Sequence, residues 1–161
     1  MKRVTRLSDK VLLANLIRLS SSEVKVVANL LLHLIEVERR MLYAKEGYSS
    51  LFSYCVGALK YCDGMAGSRV RATRCIRKFP KILKLFVNQE LTLSTISMIS
   101  KILTEQNFDE VIKSVSHKSK AEVEQYITKF LPEKSIREVI KPLSSSKLTP
   151  PQNEVRLSFS F

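Results

Sequence analysis

The sequence has few of the residues that break helices and none of the long apolar runs that cross membranes. There are four glycines and five prolines among 161 residues, and no apolar stretch approaches the roughly 18 residues that a membrane span needs. A helix-rich, non-membrane chain follows. With 45% hydrophobic residues it can bury a real core, so disorder is not the default reading. Cysteine is equally sparse. Cys55, Cys62 and Cys75 are odd in number, with six and twelve residues between them, which suggests neither a disulfide framework nor a CxxC metal pair. The basic N-terminus MKRVTRLSDK leads into VLLANLI, which is short, contains Asn15 and lacks a small-residue cleavage site, so no signal peptide is read. A reducing cytoplasm is the expected location.

Chemical motifs are also scarce. P-loop, GxGxxG and HExxH patterns are all missing. His33 and Glu36 lie three apart, a spacing that suits two ligands of one metal, but His117 is the other histidine and further ligands do not suggest themselves. A histidine satisfied on a polar helix stripe is the better reading, and no metal or cofactor is expected. Glu36, Glu38, Arg39 and Arg40 suit a local ion-pair network, the serines suit helix caps, and Tyr43, Tyr48, Phe52 and Tyr54 suit core packing.

What the chain does have is positive charge, unevenly placed. The formal net charge is +12. Residues 64–89 carry seven Lys/Arg and no Asp/Glu, so more than half of the excess lies in 26 residues. A concentrated field of that sign attracts polyanions, with nucleic acid first and an acidic protein surface or anionic membrane behind it.

Apolar periodicity and capping residues predict an all-α bundle of seven to eight helices over residues 8–131. A helix over Lys10–Leu19 follows Ser8-Asp9, and Ser20-Ser21-Ser22 restarts the pattern for a longer helix over Glu23–Ala44. That second helix is apolar almost all round and reads as the central post. Gly47 stops it, and Ser49 or Ser50 caps a third helix that runs to Cys62. Asp63-Gly64 breaks the third, and a fourth covers Met65–Lys78, because Pro80 forbids continuation. The third and fourth helices have the outline of a helix-turn-helix, which is equally the outline of any helical hairpin. Shorter helices follow from Pro80, from Ser94, from a Thr104 cap, and from Ser119 with Glu122 as a capping box. Residues 132–153 read as a Pro/Ser-rich linker. Residues 154–161, EVRLSFSF, alternate as a β-strand whose edge needs a missing segment or a partner.

In GSRVRATRCIRKFPKILK, Arg71, Arg74, Arg77 and Lys78 share one arc of a helical wheel, while Met65, Ala72, Cys75, Ile76 and Phe79 share the other. Like charges at i,i+3 and i,i+4 repel by a few tenths of a kcal/mol. A purely cationic face therefore implies a compensating anion: Glu36, Glu38 or Asp63 from other helices, or a polyanion. The bidentate guanidinium suits phosphate, carboxylate and guanine edges. The candidate nucleic-acid-binding residues are Arg69, Arg71, Arg74, Arg77 and Lys78, with Lys81 and Lys84 extending the track.

The ordered string is similar to a known pattern. It contains HL-x-E-x-x-x-R (His33, Leu34, Glu36, Arg40), GYSSLFxYC (Gly47 to Cys55), A-x-x-R-x-x-A-x-R (Ala66, Arg69, Ala72, Arg74) ending in Phe79-Pro80, LTLS (Leu91 to Ser94) and KSKxEVE (Lys118 to Glu124). Over about residues 8–133 the chain resembles the helical N-terminal region found upstream of an HNH nuclease domain in a group of bacterial proteins. The resemblance implies a DNA-engaging or regulatory module whose catalytic domain follows a linker. An HNH site needs metal-binding and general-base histidines in a ββα hairpin, which this chain does not supply, so no cleavage by this chain alone is expected. Two functions remain open at this point. One is a non-catalytic DNA-binding module. The other is a protein-interaction or dimerisation module, possible as a homodimer, that holds the Arg face in salt bridges.

Overall fold

A computed structural model describes residues 4–130 of the chain, and the predicted linker and terminal strand at 132–161 lie outside the described residues. The described residues are all helical, with a short 3-10 turn at Val4–Arg6 ahead of eight α-helices. These are α1 (Asp9–Arg39), α2 (Leu42–Lys45), α3 (Leu51–Gly57), α4 (Asp63–Lys78), α5 (Lys81–Val87), α6 (Leu93–Ile99), α7 (Phe108–Val115) and α8 (Lys120–Thr128). No described helix is long and apolar enough to cross a membrane.

Local sequence chemistry sets most of the helix ends. Ser50 accepts from the Ser53 backbone N–H at 3.0 Å, and Ser53 Oγ accepts from the Ser50 backbone N–H at the same distance, a reciprocal cap for α3. Ser119 and Glu122 close the predicted capping box of α8. Phe79 leaves the helical region ahead of Pro80, as its position predicts. Gly47 takes a left-handed conformation (φ +80°) after α2, a region L side chains rarely occupy.

Several boundaries differ from expectation. The first two predicted helices are one continuous α1 of 31 residues. The three serines do not stop it, because serine in a helix costs only a fraction of a kcal/mol and Ser22 Oγ donates back to the Arg18 carbonyl at 2.9 Å. α1 then ends at Arg39 rather than Ala44, where Met41 turns left-handed (φ 52°). The chain breaks before α4 at Lys60 (φ 58°), and Asp63-Gly64 forms the first turn of α4 instead of a stop. Thr92, not Ser94, caps α6 by accepting from the Thr95 N–H. Thr104 exchanges hydrogen bonds with Asn107 in the turn ahead of α7 and does not cap that helix directly.

The core also has a different centre. α1 buries Ala28, Leu31 and Leu34 in its second half, where it packs on α3, α4 and α5. Its first half is exposed. The post of the bundle is α4, which buries Ala66, Val70, Ala72, Thr73, Cys75 and Ile76 and packs on α1, α3, α5 and α6. Met65, expected on its apolar arc, is exposed. Val70 lies in the same arc as the arginines yet is buried, so the cationic face is confined to the last two turns of α4.

The Thr73 hydroxyl is fully buried with no hydrogen-bond partner among the described residues. An unpaired buried hydroxyl costs on the order of 1–3 kcal/mol. Thr73→Val keeps the shape and removes the unpaired group, so chemical denaturation should show it more stable by about 1 kcal/mol. A loss of stability would mean that the hydroxyl has a partner.

Candidate nucleic-acid interface

The Arg face is positioned by what lies beneath it. Ala72, Cys75 and Ile76 anchor α4 in the core, and the side chains three and four residues apart on its outer side therefore project together. Between α4 and the α6 end of the bundle they line a cleft of about 550 Å³, formed by Arg71, Arg74, Arg77 and Lys78 with Cys75, Phe79, Ser100 and Leu103. Among the described residues, no acidic side chain lines it. Burial pushes the Cys75 thiol up to about 11, so this group stays neutral near pH 7.

Each guanidinium is held differently. Arg71 Nε donates to the buried Ser97 Oγ at 2.8 Å, which ties α4 to α6 and aims its fork. Arg74 Nε donates to Glu38 Oε1 at 2.7 Å, and Arg77 Nη1 donates to Glu38 Oε2 at 3.0 Å. One carboxylate from α1 thus supplies the anion that the like-charged pairs of α4 require. The Glu38 side chain is 12% exposed, whereas Arg74 and Arg77 keep 56% and 50% of theirs exposed.

The other expected anions act elsewhere. Glu36 binds Arg39 through both oxygens and also Arg40, all within α1, so three members of the predicted local network pair there while Glu38 turns to α4. The hydrogen bond from Arg39, with Arg40 assisting, holds the Glu36 carboxyl at about 2, well below the usual carboxylate range. Asp63 pairs with none of the arginines. His33 Nδ1 lies 2.8 Å from the Asn29 carbonyl oxygen, and the described residues hold no group of three or more His, Cys, Asp or Glu that could bind a metal ion.

Two further depressions adjoin the central cleft. Arg71 also lines one of about 350 Å³ with Ser97, Met98, Lys101, Glu124, Ile127 and Thr128. Lys78 also lines one of about 300 Å³ with Phe79, Pro80, Lys81, Glu105, Phe108 and Asp109. Its floor is the Phe79–Phe108 pair, with ring centroids 5.6 Å apart and the Lys78 and Lys81 ammonium groups 5.1 and 6.0 Å from the two rings. The result is a track whose centre is cationic and whose two ends carry acids.

The seven candidate residues do not all join this track. Arg71, Arg74, Arg77 and Lys78 line the central cleft, and Lys81 lines its neighbour. Lys84 is exposed on α5 but lines none of the three depressions. Arg69 turns the other way, with its guanidinium 4.4 Å from the centre of the Tyr61 ring and its Nε buried without a partner. Sequence reasoning missed Ser97, Ser100, Lys101 and the pairing of Phe79 with Phe108, because Ser97, Ser100, Lys101 and Phe108 reach the site from helices or turns distant in the chain. Lys101 just after α6 was the one visible signal, an isolated lysine among apolar neighbours.

Fold and site define an all-helical domain with an arginine-lined surface cleft. Compared with protein-family models, with curated proteins and with solved structures, the chain matches none of them.

Proposed function

We propose that this domain binds nucleic acid through the cationic cleft on α4, with Arg71, Arg74, Arg77 and Lys78 contacting backbone phosphates and Lys81 extending the contact. The observation that carries this reading is the composition of the central cleft, which among the described residues has four cationic liners and no acidic one. Arg74 and Arg77 keep about half of their side chains open to solvent while paired with Glu38, so they can meet a phosphate without leaving that carboxylate. The Phe79–Phe108 floor gives an unpaired base an aromatic face beside two lysines. The resemblance to the helical segment that precedes HNH nuclease domains is in keeping with a module that engages DNA while the cutting chemistry resides elsewhere.

One observation favours a second reading. Glu38 already neutralises part of the face by pairing with both Arg74 and Arg77, which suits a protein-interaction module whose arginines are structural. Glu38→Gln separates the two. If phosphate binding is the function, removing the competing carboxylate should tighten binding of duplex DNA several-fold, measured by fluorescence anisotropy at two salt concentrations, with affinity falling as salt rises. Absence of salt-dependent binding by the wild-type chain, or weaker binding by Glu38→Gln in a folded protein, would favour the interaction module.

A further inference from the structure

We infer that the first half of α1 is a dimerisation arm that pairs with the same segment of a second copy of this chain. α1 is continuous from Asp9, yet its buried residues begin only at Ala28. The segment before that holds its helical form at about 1.5 Å per residue while its large aliphatic side chains remain open. Leu13 is 61% exposed, Leu16 62%, Ile17 70% and Leu19 60%. Monomeric proteins rarely leave contiguous apolar patches of more than a few hundred Å² uncovered.

The pattern is organised. At about 100° per residue, Leu13 and Ile17 continue N-terminally the stripe that Val24, Ala28, Leu31 and Leu34 present to the bundle. Leu12, Leu16 and Leu19 adjoin that stripe and widen it to an arc of about 160°, broader than the a/d seam of a simple two-stranded coil. The stripe that folds the body of the domain therefore runs past the end of that body.

The charge distribution selects the occupant. A chain of net charge +12 repels its own copies, and a two-fold contact sets each residue near its own twin, so any charge in it meets its like. The arm is suited to that contact, because between Val11 and Ser22 the one charged residue is Arg18. Arg18 falls opposite the centre of the apolar arc and points away from it. A polyanion has no cationic stripe to follow here. Five large aliphatic side chains at on the order of 100 Å² each give, from two copies, about 1,000 Å², the threshold that a specific interface should clear.

The test is the oligomeric state of the full chain by sedimentation velocity from low to high micromolar concentration. The wild-type chain should dimerise. Leu16→Ser/Ile17→Ser should raise the dimer dissociation constant at least tenfold with unchanged helical circular dichroism, and Arg18→Ser should leave it within about twofold. A wild-type chain that stays monomeric throughout the range would overturn the proposal and assign the arm's cover to the chain's own residues or to another protein. A dimer that survives Leu16→Ser/Ile17→Ser would also overturn it. If that double variant loses its helical signal, Leu16→Ala alone replaces it, with a severalfold weakening expected and an unchanged dimer constant fatal.

Discussion

Alanine at Arg71, Arg77 and Lys78 together is expected to weaken duplex-DNA binding on the order of a hundredfold near physiological salt, and to reduce the slope of log affinity against log salt by about three. Each phosphate contact releases close to one counterion, so three lost contacts remove that much slope and several-fold affinity apiece. The choice of residues matters. Arg74 stays in place to neutralise Glu38, whose carboxylate is mostly buried, so the variant does not strand a buried charge. Arg71 does carry a structural hydrogen bond to Ser97, at a cost of about 1 kcal/mol when lost, which a thermal melt would register separately. The measurement is an anisotropy titration at several salt concentrations. An unchanged slope in a folded triple variant would remove the cleft from the binding reaction.

Leu31→Ala should destabilise the domain by about 2–5 kcal/mol, a large share of the 5–15 kcal/mol by which such domains are stable. Leu31 is fully buried on the face of α1 that packs against α3, α4 and α5. Truncation there both forfeits the transfer free energy of the lost carbons and leaves a cavity between helices that α4 holds in place. Leu32, the next residue, is 44% exposed, and Leu32→Ala should cost less than about 1 kcal/mol. Urea denaturation followed by circular dichroism compares the two. Equal effects at the two positions would mean that α1 does not pack as described.

That pair of neighbouring leucines also marks how far the sequence could be read. The α1 region is apolar almost all round, so periodicity places a helix there but does not say which residues are covered. It also does not say where along the helix the cover ends: Leu13 and Leu31 lie on one stripe, and only the second is buried. The serines at 20–22 carried a capping signature that the local backbone did not use, because cap and interior serines differ in φ/ψ rather than in sequence. The candidate site was legible in the part that lies on one helix. Arg71, Arg74, Arg77 and Lys78 share a face of α4 by spacing alone, and Glu38 was one of three carboxylates named, beside a polyanion, as the anion that their mutual repulsion demands.

By itself the sequence determined the all-helical class, a serine cap for α3, the reciprocal capping box of α8, the exit of the chain at Phe79-Pro80, and a cationic face on α4. All of these follow from interactions within about four residues or from net charge. The tertiary structure alone decided that Glu38, 36 and 39 residues away, serves Arg74 and Arg77, that Ser97 aims Arg71, that Arg69 turns toward Tyr61, and that α4 rather than α1 is the post. The reason is physical: such pairings depend on which helices close against each other, and the closure is governed by the summed packing of distant apolar faces rather than by any local preference of the residues that meet.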